Sequence, residues 1–161
     1  MESLDSIKEY LSEDWKKFSR KLEMSLQSGI SLLDYTNRSI LSSPGKQLRP
    51  VVALLVSRAC SSMPGNEACE DAVNNAVAGE LLHNATLLHD DVADRSPLRR
   101  GKPTVNALLG PSASVLVGDF WLSMAVNCVM GIADFSSVVR NYTKTLTDLS
   151  AGEMFQLEKA G

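Results

Sequence analysis

"EACEDAVNNAVAGELLHNATLLHDDVAD", residues 67–94, is the stretch that decides the fold. Ala72, Val73, Ala76, Val77, Leu81, Leu82, Ala85 and Leu88 recur at steps of three and four, the period of one broad helical face. β-Branched residues are few, so the spacing predicts a long, mostly buried helix over 67–94 rather than a strand. The following "RSPLRRGKP" (95–103) reads as a loop, because Pro97, Gly101 and Pro103 all oppose helix. The helix therefore ends in Asp90, Asp91 and Asp94. Asp90 and Asp94 are four apart, share a face and repel; Asp91 points about 100° away. A helix C-terminus carries about half a negative charge, so the dipole gives these carboxylates no support. Two readings are open: a solvated acidic end paired with Arg95, Arg99 or Lys102, or a site where carboxylates at i and i+4 hold a hard cation such as Mg²⁺.

Outward from this helix the chain reads as helix almost throughout. Leu4, Ile7, Leu11, Trp15, Phe18, Leu22 and Leu26 form one apolar stripe over six turns. "LSSPGKQLRP" (41–50) breaks the pattern, "VVALLVSRAC" (51–60) follows as a short buried helix, and "SSMPGN" (61–66) ends it. A short helix from Thr104, a "GPS" break at 110–112, a buried helix over 113–133 and a last helix from about Asp134, capped by Asp134 or Ser136, complete an all-α bundle. The most apolar segment carries Asp119 near its middle, which argues for a core helix rather than a membrane span. Asp119 is then expected to be a buried carboxylate satisfied by a neighbouring loop. Trp15 and Trp121 read as core or interface aromatics.

The composition is that of one globular domain: 161 residues, 44% hydrophobic and 22% charged. A net charge of −3 and no basic run longer than two residues exclude nucleic acid as a partner. Cys60, Cys69 and Cys128 have no CxxC spacing and read as reduced, mostly buried thiols; the acidic "MESLDSIKEY" is no signal peptide. A cytoplasmic location is the expectation.

Chemistry gathers around the aspartates. Magnesium held by one or two carboxylates keeps open positions for substrate phosphates. Arg99, Arg100 and Lys102 follow on the adjacent loop, and "GKQLRP" brings Lys46 and Arg49 on another Gly/Pro loop. Together they describe a diphosphate clamp of carboxylate-held metal and cationic side chains.

"HDDVADRSPLRRGKPTVN", with "GKQLRP" before it and "GD" (118–119) after, resembles the trans-isoprenyl diphosphate synthases, or polyprenyl synthetases. "DDVAD" fits that family's first aspartate-rich motif, DDxxD, and the resemblance runs from about Pro44 to Gln156. It implies an isoprenoid synthase bundle around a deep central cavity, usually a homodimer, and Mg²⁺-dependent condensation of isopentenyl diphosphate with an allylic diphosphate such as geranyl or farnesyl diphosphate. Asp90 and Asp94 would coordinate the metal, with Asp91 in support. Arg99 would contact the allylic diphosphate; Lys46, Arg49, His83 and Arg100 would hold the diphosphate of isopentenyl diphosphate. In the family, bulky residues four or five places before DDxxD stop chain growth. Ala85 and Thr86 stand there and are small, which implies a hexa- to octaprenyl product, of a kind passed on to membrane enzymes. Met124 and Cys128 are candidate floor residues, with core packing the other reading. Glu153 and Gln156 fit a "GE..Q" pattern and are read either as facing the cavity or as packing.

The chain also departs from the family. Gln47 replaces a usual Arg or Lys, and Arg95 follows the aspartates, where it is expected to pair with Asp91 or to weaken metal affinity. The second aspartate-rich motif and the Lys-Thr pair of the family are not among these residues. The sequence ends inside a helical pattern, so the expectation is the N-terminal portion of one polyprenyl synthetase domain, inactive alone. Two rivals remain: a non-catalytic fragment or partner subunit that binds diphosphates, and an HD-type metal phosphohydrolase built on His89–Asp90. The second has only two histidines to draw on, and His89 reads as a packing or hydrogen-bonding residue.

Overall fold

The structure, a computed structural model, describes residues 4–61 and 68–160. Among these, seven helices run in chain order: α1 (Leu4–Ser25), α2 (Ser31–Leu41), α3 (Leu48–Cys60), α4 (Glu70–Ala93), α5 (Val105–Leu109), α6 (Pro111–Met130) and α7 (Phe135–Ala160). The expected stop at 61–66 lies, after Ser61, outside the described residues.

The helix expected over 67–94 is α4, and it is the axis of the molecule. Val73, Ala76, Val77, Leu81, Ala85 and Leu88 are buried in the core, and α6 runs back along α4. Ser114 of α6 donates to the Leu88 carbonyl (2.9 Å), and Trp121, fully buried, donates its indole N–H to Asn37 Oδ1 (2.8 Å). Close approach requires Gly118: a Cβ there would lie 2.3 Å from His89 Nε2. α7 lies beside α4 in the same direction. Its Tyr142 hydroxyl bonds Asn75 on α4 (2.9 Å to Oδ1), and Thr145, Leu146 and Leu149 come next against Leu82, His83 and Thr86.

The N-terminal stripe differs from one straight helix. Ser12 has φ +38°, a kink inside α1, and Leu26 packs from beyond the helix end. The kink lies beside a buried ion pair. Asp14 accepts from Arg58 Nε (2.6 Å) and from the Ala68 amide (2.9 Å), while Arg58 also donates to the carbonyls of Tyr10 and Leu11. The separate α2 carries little apolar signal, since its buried residues are Thr36 and Asn37. It is fixed by polar contacts instead: Asp34 accepts from the Ser28 amide and hydroxyl, and Asn37 donates to the Leu26 carbonyl.

Several expectations are corrected. Residues 95–103 contain a minimal antiparallel hairpin, β1 (Leu98–Arg99) paired with β2 (Lys102–Pro103). Arg100 and Gly101 both have positive φ, the primed turn that suits strand twist. α6 packs one face only: Leu116, Val126 and Met130 are exposed, and so is Asp119, which meets His89 (3.4 Å) rather than being buried. Cys60 and Cys69 are exposed; only Cys128 is buried. α7 leaves Leu149, Met154, Phe155 and Leu157 open. Trp121 is core and Trp15 stacks at its margin on Phe18.

Removing one partner of a buried ion pair strands the other. Asp14→Ala is expected to lower unfolding stability by about 3 kcal/mol, measured by urea denaturation; a loss below about 1 kcal/mol would mean that this pair does not hold α1 to α3.

Candidate active site

The aspartate-rich end of α4 is closed by a particular backbone device. Ser96 N donates to the Asp91 carbonyl (3.0 Å) and Arg95 N to that of Val92 (3.2 Å), the two bonds of a Schellman motif. Arg95 occupies the left-handed position at φ +52°, where glycine is usual. Its side chain is exposed and has no ion-pair partner among the described residues, so it neither pairs with Asp91 nor reaches the carboxylates.

The three aspartates divide between two faces of α4. Asp90 and Asp94 share theirs with Gly79, His83 and Thr86, all within about 40° of Asp90 on the helical wheel. Asp91 is turned about 100° from Asp90 and is buried, with its carboxylate on Arg99 Nε (2.8 Å) and its carbonyl accepting from Asn106 (3.1 Å). Arg99, expected on an allylic diphosphate, thus also holds the hairpin against α4.

Asp90 and Asp94 have no ion-pair partner among the described residues. Burial first, and then the charge of Glu153 on α7, hold the Asp90 carboxyl above its ordinary value; Arg99 opposes this. Glu153 is exposed on α7 and lines neither cleft described below, and its charge is felt at Asp90. Between the aspartates and the Tyr142 anchor runs a cleft of about 430 Å³, lined by Arg49, Gly79, Leu82, His83, Thr86 and Leu149 among others. Thr86 opens onto it, whereas Ala85 is buried in the α4–α6 core, on the wrong face to limit a chain in the cleft. Met124 and Cys128 are not on its walls; Cys128 is packed in the core beside Ser25.

A second cleft of about 400 Å³ adjoins it, and it gathers the four residues expected on the diphosphate of isopentenyl diphosphate, Lys46, Arg49, His83 and Arg100, but not Arg99. Arg49 reaches it from the first turn of α3, not from a loop. Arg100 donates to the Ser43 carbonyl (3.1 Å) and lies so close to Gly45 that a Cβ there would be 2.4 Å from its guanidinium carbon. His83 is pushed down to about 4, by burial and then by Arg49, Arg100 and Arg99, so near neutrality it offers a neutral ring rather than a charge. Stability that depends on its neutral form is complete above the ordinary 6.5 and is lost as pH falls toward 4. Sequence reasoning missed Glu80, which lines the same cleft, is buried, and is raised by that burial although Asn84, Arg49 and Arg100 lower it. Its signal was a carboxylate one turn before His83 inside an apolar face.

No three His, Cys, Asp or Glu side chains form a ready metal cage among the described residues. Asp90 and Asp94 are instead an open pair, the donor set that a hard divalent cation takes when phosphates complete its shell. His89 turns to α6, with Nε2 3.3 Å from the Val115 carbonyl, so the His89–Asp90 pair of a phosphohydrolase does not converge.

A carboxylate pair and a cationic cleft thus lie together at one end of a helical bundle. The polyprenyl synthetase family model matches residues 30–161, and this chain belongs to that family of prenyltransferases, enzymes that use divalent metal. It is 36% identical over 155 residues to octaprenyl diphosphate synthase of Escherichia coli (strain K12), covering 96% of this chain and 46% of that one. The all-trans-nonaprenyl-diphosphate synthase (geranyl-diphosphate specific) of Rhodobacter capsulatus is 31% identical over 148 residues, covering 92% and 44%. Among solved structures, heptaprenyl diphosphate synthase from Staphylococcus aureus superposes with a TM-score of 0.81 at 33% identity, covering 91% of this chain and 45% of that one. A polyprenyl synthase from Caulobacter crescentus CB15, complexed with calcium and isoprenyl diphosphate, does so at 0.82 and 30%, covering 96% and 45%. The chain spans about half the length of the curated relatives it matches.

Glu153→Gln removes the charge felt at Asp90, so the Asp90 carboxyl should titrate lower than in the parent. Carboxyl ¹³C chemical shifts against pH measure it; an unchanged midpoint would mean that burial alone raises Asp90.

Proposed function

We propose that residues 1–161 form the N-terminal portion of a polyprenyl diphosphate synthase domain, and that this portion binds the diphosphates of an allylic substrate and of isopentenyl diphosphate. The observation that carries it is the adjacency of the open Asp90–Asp94 pair to a cleft holding Lys46, Arg49, His83 and Arg100. Asp90 and Asp94 would hold Mg²⁺, which supplies positive charge to a departing diphosphate. Arg99 adds further positive charge from the hairpin, where negative charge develops as the allylic C–O bond breaks. Lys46, Arg49 and Arg100 hold the second diphosphate, with neutral His83 as a hydrogen-bonding neighbour. Leu82, Leu146 and Leu149 give the allylic cation an apolar wall that keeps water away. No side-chain nucleophile is required, since the double bond of isopentenyl diphosphate attacks the cation and a proton then leaves.

The exposed apolar residues of α7 (Leu149, Met154, Phe155 and Leu157) suit a bundle that continues over this face. A second set of carboxylates would come from there, and this portion alone would bind without turnover. Calorimetric titration with farnesyl diphosphate should show binding that needs Mg²⁺, is abolished by EDTA, and weakens at least tenfold, about 1.4 kcal/mol, in Asp90→Asn. Chromatography after adding isopentenyl diphosphate should show no longer product. Binding of equal strength in EDTA would sink the metal role, and product formation would sink the need for further carboxylates.

Product length belongs to Thr86 on this reading, rather than to Ala85. Thr86→Phe should lower affinity for geranylgeranyl diphosphate while leaving geranyl diphosphate unaffected, in the same titration; equal losses for both would remove Thr86 from the chain's path.

A further inference from the structure

The cleft that gathers Lys46, Arg49, His83 and Arg100 carries one carboxylate on its walls, Glu80, which the diphosphate chemistry above does not use. Glu80 is 4% exposed and forms no ion pair among the described residues. The Asn84 amide donates to the Glu80 carbonyl (2.8 Å) and, at longer range, to Oε1 (3.3 Å). A carboxylate so deep, with no cation in contact, is costly to ionise. The groups around it are Lys46 on the loop before α3, Arg49 on α3, Arg100 on the hairpin, Lys8 on α1 and the neutral His83 ring one turn on along α4. Burial raises the Glu80 carboxyl, and Asn84, then Arg49, Arg100 and Lys8, pull it back down. The charge of Glu80 thus leans on two arginines that a diphosphate would also take.

We propose that Glu80 is the counter-charge of this cleft: ionised while the cleft is empty, where it balances Arg49 and Arg100, and protonated from solvent once a diphosphate has engaged them. This role rests on the cleft's assignment to a diphosphate and adds the proton that travels with the ligand. In the empty cleft the carboxylate offsets the repulsion between the two arginines and keeps both turned to one place. An incoming diphosphate cancels the positive potential that favours the carboxylate, while the burial that disfavours it stays. Carboxylate and diphosphate, sharing the same arginines, would repel across the low dielectric of the cleft. One proton on the Glu80 carboxyl removes that repulsion. The proton is then part of the complex, so the parent's binding weakens as pH rises above the value at which Glu80 titrates in the empty cleft. Glu80 acts through Arg49 and Arg100, as a positioning residue.

The test is ¹³C NMR of the labelled chain in EDTA, following the Glu80 carboxyl against pH with and without saturating isopentenyl diphosphate. The signal is identified by its loss in Glu80→Gln. Bound ligand should raise the Glu80 midpoint by at least about one pH unit, a tenfold change in proton affinity. In calorimetric titration Glu80→Gln, checked for folding by circular dichroism, should bind isopentenyl diphosphate about tenfold more tightly than the parent in mildly alkaline solution, with the gap closing as pH falls. A Glu80 midpoint unmoved by bound ligand would overturn the proposal, and so would proton uptake at the His83 ring alone. A difference between variant and parent that stays constant with pH would leave Glu80 a structural role only, and would overturn it as well. Absence of binding by the parent would sink the assignment of the cleft to a diphosphate and this role with it, whereas binding with an unmoved Glu80 would sink this role alone.

Discussion

Everything at the aspartate-rich end depends on the ion pair between Asp91 and Arg99, 2.8 Å long and largely out of water. A helix C-terminus that carries three carboxylates is electrostatically poor, because the macrodipole and each neighbour disfavour them. Neutralising the middle one with an arginine from the hairpin removes a third of that charge and ties the hairpin to α4. The other two are then left together on the adjoining face, unpaired, where a cation would have reason to go. Asp91 and its neighbours in the motif thus divide the work: one builds and two remain available.

The elevated Asp90 carboxyl gives this division a sign. A carboxyl raised in the folded state makes ionisation costly to the fold: the cost is absent below its ordinary value of 3.8 and fully present above its folded one. A divalent cation at Asp90 would remove that cost, so its binding would stabilise the fold. The charge of Glu153 adds to that cost.

Much of this was legible in the residues. The period of 72–88 gave α4, and the aspartate spacing gave two carboxylates on one face with the third turned away. The four cationic and imidazole residues expected on one diphosphate do line one cleft, although Arg49 belongs to a helix. Illegible were features carried by backbone or by polar burial. α2 hides because its inward residues, Thr36 and Asn37, are not apolar. The hairpin hides because two-residue strands have no period to read, and its turn depends on φ at Arg100 and Gly101. Asp119 was misplaced because an apolar sequence does not reveal that α6 has only one face to bury. Ala85 and Thr86 are adjacent in sequence but about 100° apart on the helix, so only Thr86 opens onto the cleft.

The seat of Tyr142 on Asn75 has a mechanical consequence. Glu153 lies eleven residues further along α7, about 16 Å at 1.5 Å per residue, and the helix beyond Leu149 is largely exposed. α7 is thus a lever with its fulcrum at one phenol hydroxyl, and a tilt of about 5° there moves Glu153 by more than an ångström relative to Asp90. The distance between the Glu153 and Asp90 carboxylates is therefore set from three turns away.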